Sequence, residues 1–227
     1  MTGRAGSSRI GILGGTLDPV HVGHIQAAVA AREALGLDDV VIMPARIPPH
    51  RQDGPSASPF HRFAMAALSV NDLPGFSVSD DELSSDGPSY TALTLERLAA
   101  RGLDRSRIFF ITGADAFAEI ETWYRYPAVL DLAHFVVVSR PGTAASGIPD
   151  RLPQIAGRVR IAARHTDMPV TPSVFLVDAP TPGVSSTEVR RRLRAGESVE
   201  GMLPPAVERY IRHQRLYVNK PTADHVP

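Results

Sequence analysis

Short apolar runs alternate along this chain with longer stretches of helical periodicity. Residues 10–13, 40–43, 108–112, 135–139 and Val174–Val177 are rich in Val, Ile and Phe and are bounded by Gly, Pro or charge, which predicts buried strands. Between them, residues 25–35, 59–69, 89–101 and 115–123 predict helices. Ile25, Ala28 and Val29 recur at helical spacing, and Leu93, Leu95 and Leu98 do so with one offset. Strand alternating with helix predicts an α/β fold, a parallel sheet with helices on both faces. Such sheets bind ligands at the carboxyl ends of their strands, at the topological switch point. Prolines and glycines predict loops over residues 46–58 and 141–153. There is no internal repeat. Residues 9–218 read as a single domain with a small C-terminal helical part, flanked by disordered tails over residues 1–8 and 219–227.

Composition narrows the function. A chain of 227 residues, 43% hydrophobic, is long enough to bury one substantial core. The formal net charge is zero, so an anion site has to be built locally, and neither nucleic acid nor a membrane is the expected partner. The chain has no cysteine, which removes disulfides, thiolate metal sites and cysteine nucleophiles together. Residues 1–8 lack the apolar core of a signal peptide, and no apolar run is long enough to span a bilayer, so the expected location is cytoplasmic.

The chemistry concentrates in Gly14-Gly15-Thr16-Leu17-Asp18-Pro19-Val20-His21-Val22-Gly23-His24, which stands between the first strand and the first helix. Gly14 and Gly15 let the backbone approach a ligand closely, and their amides and the Thr16 hydroxyl are donors for phosphate oxygens. His21 and His24 are three apart at a helix start, where free amides and the helix dipole already favour anions. A metal held by the two histidines and Asp18 is an alternative, although nothing nearby completes such a site. Ser185, Ser186 and Thr187 read as helix caps and equally as a second phosphate-binding helix start. Arg190, one turn on, is within reach of a phosphate bound there. Asp115 follows a strand, where a carboxylate can accept from ribose hydroxyls or cap a helix. Trp123, the one tryptophan, can stack on a flat ring or belong to the core.

Together these strings resemble the Gly-Gly-Thr-Phe-Asp-Pro-x-His-x-Gly-His and Ile-Ser-Ser-Thr-x-Ile-Arg signatures of the Rossmann-like nucleotidyltransferases. Further segments are similar to the bacterial nicotinate-nucleotide adenylyltransferases. They are Pro44 to Arg51, Ser89-Tyr90-Thr91, Ile111 to Asp115 with Trp123, and Val207 to Tyr217. The resemblance covers roughly residues 9–218. It implies transfer of the adenylyl group of ATP, carried with Mg²⁺, to nicotinate mononucleotide, releasing pyrophosphate. It further implies Thr16, His21, His24 and Arg190 as the catalytic group. Gly14, Gly15, Asp115, Ser185, Ser186 and Thr187 would bind ATP, while Thr16, Arg51, Thr91 and Trp123 would bind the mononucleotide; no protein metal ligand is implied. Leu17 stands where the family has Phe, Arg51 where it has Lys, and Asp86 where a basic residue is common. Nicotinamide mononucleotide and phosphopantetheine remain alternative acceptors, a non-catalytic nucleotide sensor is the alternative of another class, and a homo-oligomer stays open.

Overall fold

A computed structural model describes residues 8–49, 54–162 and 168–218. Seven strands form one sheet: β1 (Ile10–Gly15), β2 (Asp39–Pro44), β3 (Phe76–Val78), β4 (Ile108–Gly113), β5 (His134–Val138), β6 (Val159–Ile161) and β7 (Val174–Val177). Their order is β3-β2-β1-β4-β5-β7-β6, and every pairing is parallel. The helices are α1 (Val22–Leu35), α2 (Pro59–Val70), α3 (Thr91–Ala100), the single turns α4 (Ala114–Phe117) and α5 (Ile148–Arg151), α6 (Ser186–Ala195) and α7 (Pro205–His213). This is the doubly wound α/β arrangement that the alternating pattern predicts.

Strand alternation divides the core between the two faces of the sheet. Leu13, Ile42, Phe109, Ile111, Val136 and Phe175 pack with α1, α2 and α7 on one side. Ile12, Met43, Ile108, Phe110, Phe135 and Val137 pack with α3 and α4 on the other. Apolar burial on both faces explains why these strands read as continuous hydrophobic runs. The chain reverses its direction of travel across the sheet between β1 and β4. A crevice therefore opens at Gly15 and Gly113, where those two strands end.

Several elements depart from the pattern-based reading, for physical reasons. β3 and β6 were not expected; at three residues each they are too short to show a period. Residues 115–123 do not form one helix. A single α-turn gives way to a 3₁₀ turn, Ile120–Thr122. Phe117 and Ile120 are both fully buried, and 3₁₀ winding places residues three apart on one line facing the core. Residues 141–153 are not the open loop expected from their prolines and glycines. Ala145, Ile148 and Leu152 are buried at helical spacing, and Pro149 sits in the first turn of α5, where a missing amide costs nothing. Residues 1–7 and 219–227, the expected tails apart from Ser8, lie outside the described residues.

Candidate active site

β1 delivers the glycine turn to the switch point. A Cβ on Gly14 would meet the Phe110 ring at 3.1 Å, so a larger residue there would need that ring to give way by a few tenths of an ångström. Gly15 has φ +153°, a conformation that side-chain-bearing residues rarely adopt. The chain then folds over Leu17, which is 1% exposed in the core, and enters α1 with His21 as its N-cap. The helix starts three residues earlier than the apolar pattern suggests, which places both histidines in its opening turn.

The two imidazoles lie 3.7 Å apart between centroids, with their planes tilted by 32°. The His21 backbone amide donates to His24 Nδ1 at 3.2 Å. A neutral His24 therefore carries its proton on Nε2 and is a donor there. Burial, reinforced by the nearby Arg140 guanidinium, lowers the His21 pKa to about 3. Burial, His21 and Arg140 push His24 the same way. Both rings are neutral hydrogen-bonding groups at pH 7 rather than cations.

Beneath the turn lies a buried polar hub. Asp18, 1% exposed, accepts from the Ser56 and Ala57 amides at 2.8 and 3.0 Å and from the Tyr217 hydroxyl at 2.7 Å. Arg190 donates to the Asp18 carbonyl at 2.6 Å and to Thr187 Oγ1 at 3.2 Å. Arg62, fully buried, donates to the carbonyls of Thr16 at 2.8 Å and Ala45 at 2.5 Å. Ser186 donates to the Pro19 carbonyl at 2.9 Å, while Ser185 caps α6 by accepting from the Glu188 amide at 3.1 Å. The two signature segments, 170 residues apart in sequence, thus meet directly. Asp18 acts as a structural acceptor, and among the described residues no group of three or more His, Asp or Glu could hold a metal.

Two cavities open above this turn and share Gly14, Thr112 and Ala116. The smaller, about 160 Å³, is lined by His24, Asp115 and Arg140 among others. Arg140 donates to the Gly23 carbonyl at 3.3 Å and lies 3.9 Å from the Asp115 carboxylate. The larger, about 290 Å³, is walled by Thr16, Tyr90, Thr91, Phe110, Trp123 and Tyr124, with Glu82 and Ser89 also on its lining. Trp123 sits edge-on to Phe110 at 6.1 Å between centroids, so it is both packed and open to the cavity. Tyr90 and Tyr124 stack at 4.5 Å.

The expected site residues thus fall into three groups. Gly14, Gly15, Thr16, His24, Asp115, Thr91 and Trp123 line the cavities. His21, Ser185, Ser186, Thr187 and Arg190 lie around and under the turn; Arg190 faces Asp18 rather than open space. Arg51 lies outside the described residues. Asp86, where a basic residue is common, is exposed and pairs with Arg46 at 3.4 Å. Sequence reasoning missed Arg62, Glu82, Tyr124 and Arg140. Arg62 shares the buried stripe of Met65, Ala66 and Ser69 on α2, and a charge on an apolar stripe was a usable signal. Arg140 follows β5 at the carboxyl edge, a position that also invited attention.

A glycine turn at the switch point of a parallel sheet, with paired neutral histidines and two adjoining cavities, is the arrangement of a nucleotide-handling α/β enzyme. A family model described as cytidylyltransferase-like matches residues 12–192. The chain belongs to the cytidylyltransferase-like family of nucleotidyltransferases. It is 41% identical to a probable nicotinate-nucleotide adenylyltransferase of Citrifermentans bemidjiense, with 93% of this chain and 99% of the relative covered. It is 37% identical to one from Desulfatibacillum aliphaticivorans, covering 92% and 100%. Among solved structures, Plasmodium falciparum nicotinic acid mononucleotide adenylyltransferase complexed with NaAD superposes with a TM-score of 0.69 at 18% identity, covering 93% and 98%. That likeness shows the fold.

Proposed function

We propose that this enzyme transfers the adenylyl group of ATP to nicotinate mononucleotide, giving nicotinate adenine dinucleotide and pyrophosphate, a step of NAD synthesis. The observation that carries the reading is the pair of cavities meeting at Gly14, one polar and one aromatic, with the histidine turn at their junction. The names of the curated relatives support the same reaction.

ATP takes the smaller cavity, with Asp115 accepting from the ribose hydroxyls and Arg140 facing its negative charge. The mononucleotide takes the larger cavity, its ring against Trp123 and Thr91. A phosphate oxygen of the mononucleotide attacks the α-phosphorus of ATP in line; that P–O bond forms as the bond to the bridging α,β-oxygen breaks, and the electron pair leaves with pyrophosphate. Catalysis is positioning plus charge stabilisation, with no protein nucleophile. Thr16 and the Gly14 and Gly15 amides serve the α-phosphate. His24 Nε2–H donates to the leaving phosphates, and His21 supports it from beneath. Ser185, Ser186, Thr187 and Arg190 hold the α6 start against the turn, where its amides favour the triphosphate. Arg51, seven residues after β2 in sequence, would add positive charge. Mg²⁺ would enter with ATP as part of the substrate and offset the charge of its phosphates.

The test is pyrophosphate release from magnesium-ATP with nicotinate and nicotinamide mononucleotides side by side. Strong preference for the acid is the expected result. Preference for the amide would keep the mechanism and move the substrate; release with neither would sink the reading.

A further inference from the structure

The larger cavity presents a problem of sign. Among the described residues no Lys, Arg or His lines it, and Glu82 is its one acid. An anionic ring would enter a chamber whose one carboxyl among the described residues has the wrong charge.

Glu82 is not incidental there. It is 5% exposed, accepts from the Thr94 hydroxyl at 2.6 Å and lines the cavity beside Ser89. Ser89 Oγ accepts in turn from the Arg46 amide at 2.9 Å, and the Ser89 amide donates to the Ile47 carbonyl at 2.9 Å. Arg97 donates to Thr94 Oγ1 and to the Asp81 carboxylate, each at 3.1 Å, and Arg101 closes the set by pairing with Asp81. Thr94, Arg97 and Arg101 thus tie Glu82 and Asp81, in the segment after β3, to α3, while Ser89 ties the segment after β2 to the start of α3, with Glu82 on the cavity wall. Beside it, α3 begins at Thr91 with no side-chain cap on its first turn, so that wall offers dipoles to an anion and one carboxyl against it.

We propose that Glu82 is the residue that sets the choice between acid and amide mononucleotides: as a neutral carboxylic acid it lets the cavity accept an anionic ring, and as a carboxylate it repels one. This rests on the assignment of the larger cavity to the mononucleotide. Burial holds the Glu82 carboxyl above the ordinary range. The hydrogen bond from Thr94, the neighbouring Ser89 hydroxyl and the Arg97 guanidinium pull it back down, and the Asp81 carboxylate adds to the rise. Tyr90 and Tyr124 are the remaining titratable side chains on this wall. Preference for the acid therefore weakens as pH rises and Glu82 ionises.

The experiment measures kcat/KM for nicotinate and nicotinamide mononucleotides from about pH 5 to about pH 9 and follows their ratio. Both substrates carry the same ribose phosphate and use the same ATP, so those titrations cancel. The ring carboxylate is ionised throughout. The acid-to-amide ratio should fall roughly tenfold as pH rises, a change consistent with one repulsive charge at an effective dielectric near 20. Glu82→Gln should hold the ratio flat at its low-pH level, with the KM for ATP unchanged. Thr94→Val removes a hydrogen bond that favours the carboxylate, so the fall should move to higher pH. A ratio independent of pH in the native enzyme, or the same fall in Glu82→Gln, overturns the proposal while leaving the reaction intact. Turnover of neither mononucleotide overturns both. If Glu82→Gln fails to fold, Thr94→Val decides: a displaced fall supports the role, and an unmoved one ends it.

Discussion

The smaller cavity draws half of its lining from the sheet, whereas the larger one is made mostly by what lies outside it. Leu13, Gly14, Ile111, Thr112 and Gly113 are adjoining strand residues, Asp115 and Arg140 each follow a strand end by two residues, and His24 lies in the first turn of α1. The larger cavity draws on residues 45–49, 82, 89–91 and 123–124, held in place by hydrogen bonds rather than strand pairing. Groups fixed by a paired, doubly buried sheet suit a step that depends on accurate placement. Groups on irregular segments can change without disturbing that frame, and recognition of a particular acceptor belongs there. The shared wall at Gly14 is where the two designs join. The Asp18 hub beneath it ties both together, since Asp18 holds Ser56 and Ala57 as well as its own turn.

The sharpest test of that division is His24→Ala. Loss of one preorganised donor at a developing charge costs about 10² to 10³ in kcat. The loss should be equal with acid and amide mononucleotides, because His24 lines only the smaller cavity. Steady-state kinetics with both acceptors checks it. A variant that slows one acceptor alone would break the comparison.

The next effect concerns stability. His21 is 1% exposed and has its pKa lowered to about 3. A histidine depressed in the folded state is neutral there, while the unfolded chain binds a proton below about pH 6.5. The unfolded state then holds more protons, so its contribution is full above that value and is lost as pH falls toward about 3. The loss is on the order of a few kcal/mol, and His24 adds to it in the same direction. Denaturant melts from pH 7 to about pH 4 should show this slope, and His21→Gln should flatten it. An unchanged slope in His21→Gln would place the acid sensitivity elsewhere.

Legibility in the sequence follows the same division. The strands beside the switch point were readable because double burial makes them continuous apolar runs. The motif after β1 was readable because the turn, the cap and both histidines lie within eleven consecutive residues. The larger cavity was readable only in part. Thr91 and Trp123 came from family resemblance, but no local period marks Glu82 or Tyr124, whose roles arise from segments brought together in space. Arg190 looked like a phosphate ligand because it stands one turn after Ser186. Its guanidinium also donates to the Asp18 carbonyl in the hub, a partner 172 residues away that no spacing rule reveals. Residues 115–123 misled for a related reason: tertiary burial of Phe117 and Ile120 overrode local helical preference.

The smallest effects divide the cavities most directly. Trp123→Ala removes a ring from the mononucleotide wall, and Asp115→Asn removes a carboxylate from the ATP wall. Trp123→Ala should raise KM for the mononucleotide about tenfold, the scale of one lost aromatic contact, and leave KM for ATP near its native value. Asp115→Asn should raise KM for ATP several-fold through a weakened charge-assisted hydrogen bond and leave KM for the mononucleotide alone. Trp123 also contacts Phe110 and Phe135 at 6.1 and 6.3 Å, so a thermal melt must show that the variant keeps its fold. Because the two residues lie on separate walls, the double variant should show the product of the single effects. Effects that cross over, with Trp123→Ala weakening ATP or Asp115→Asn weakening the mononucleotide, would mean that the wall at Gly14 couples the cavities and that they act as one site.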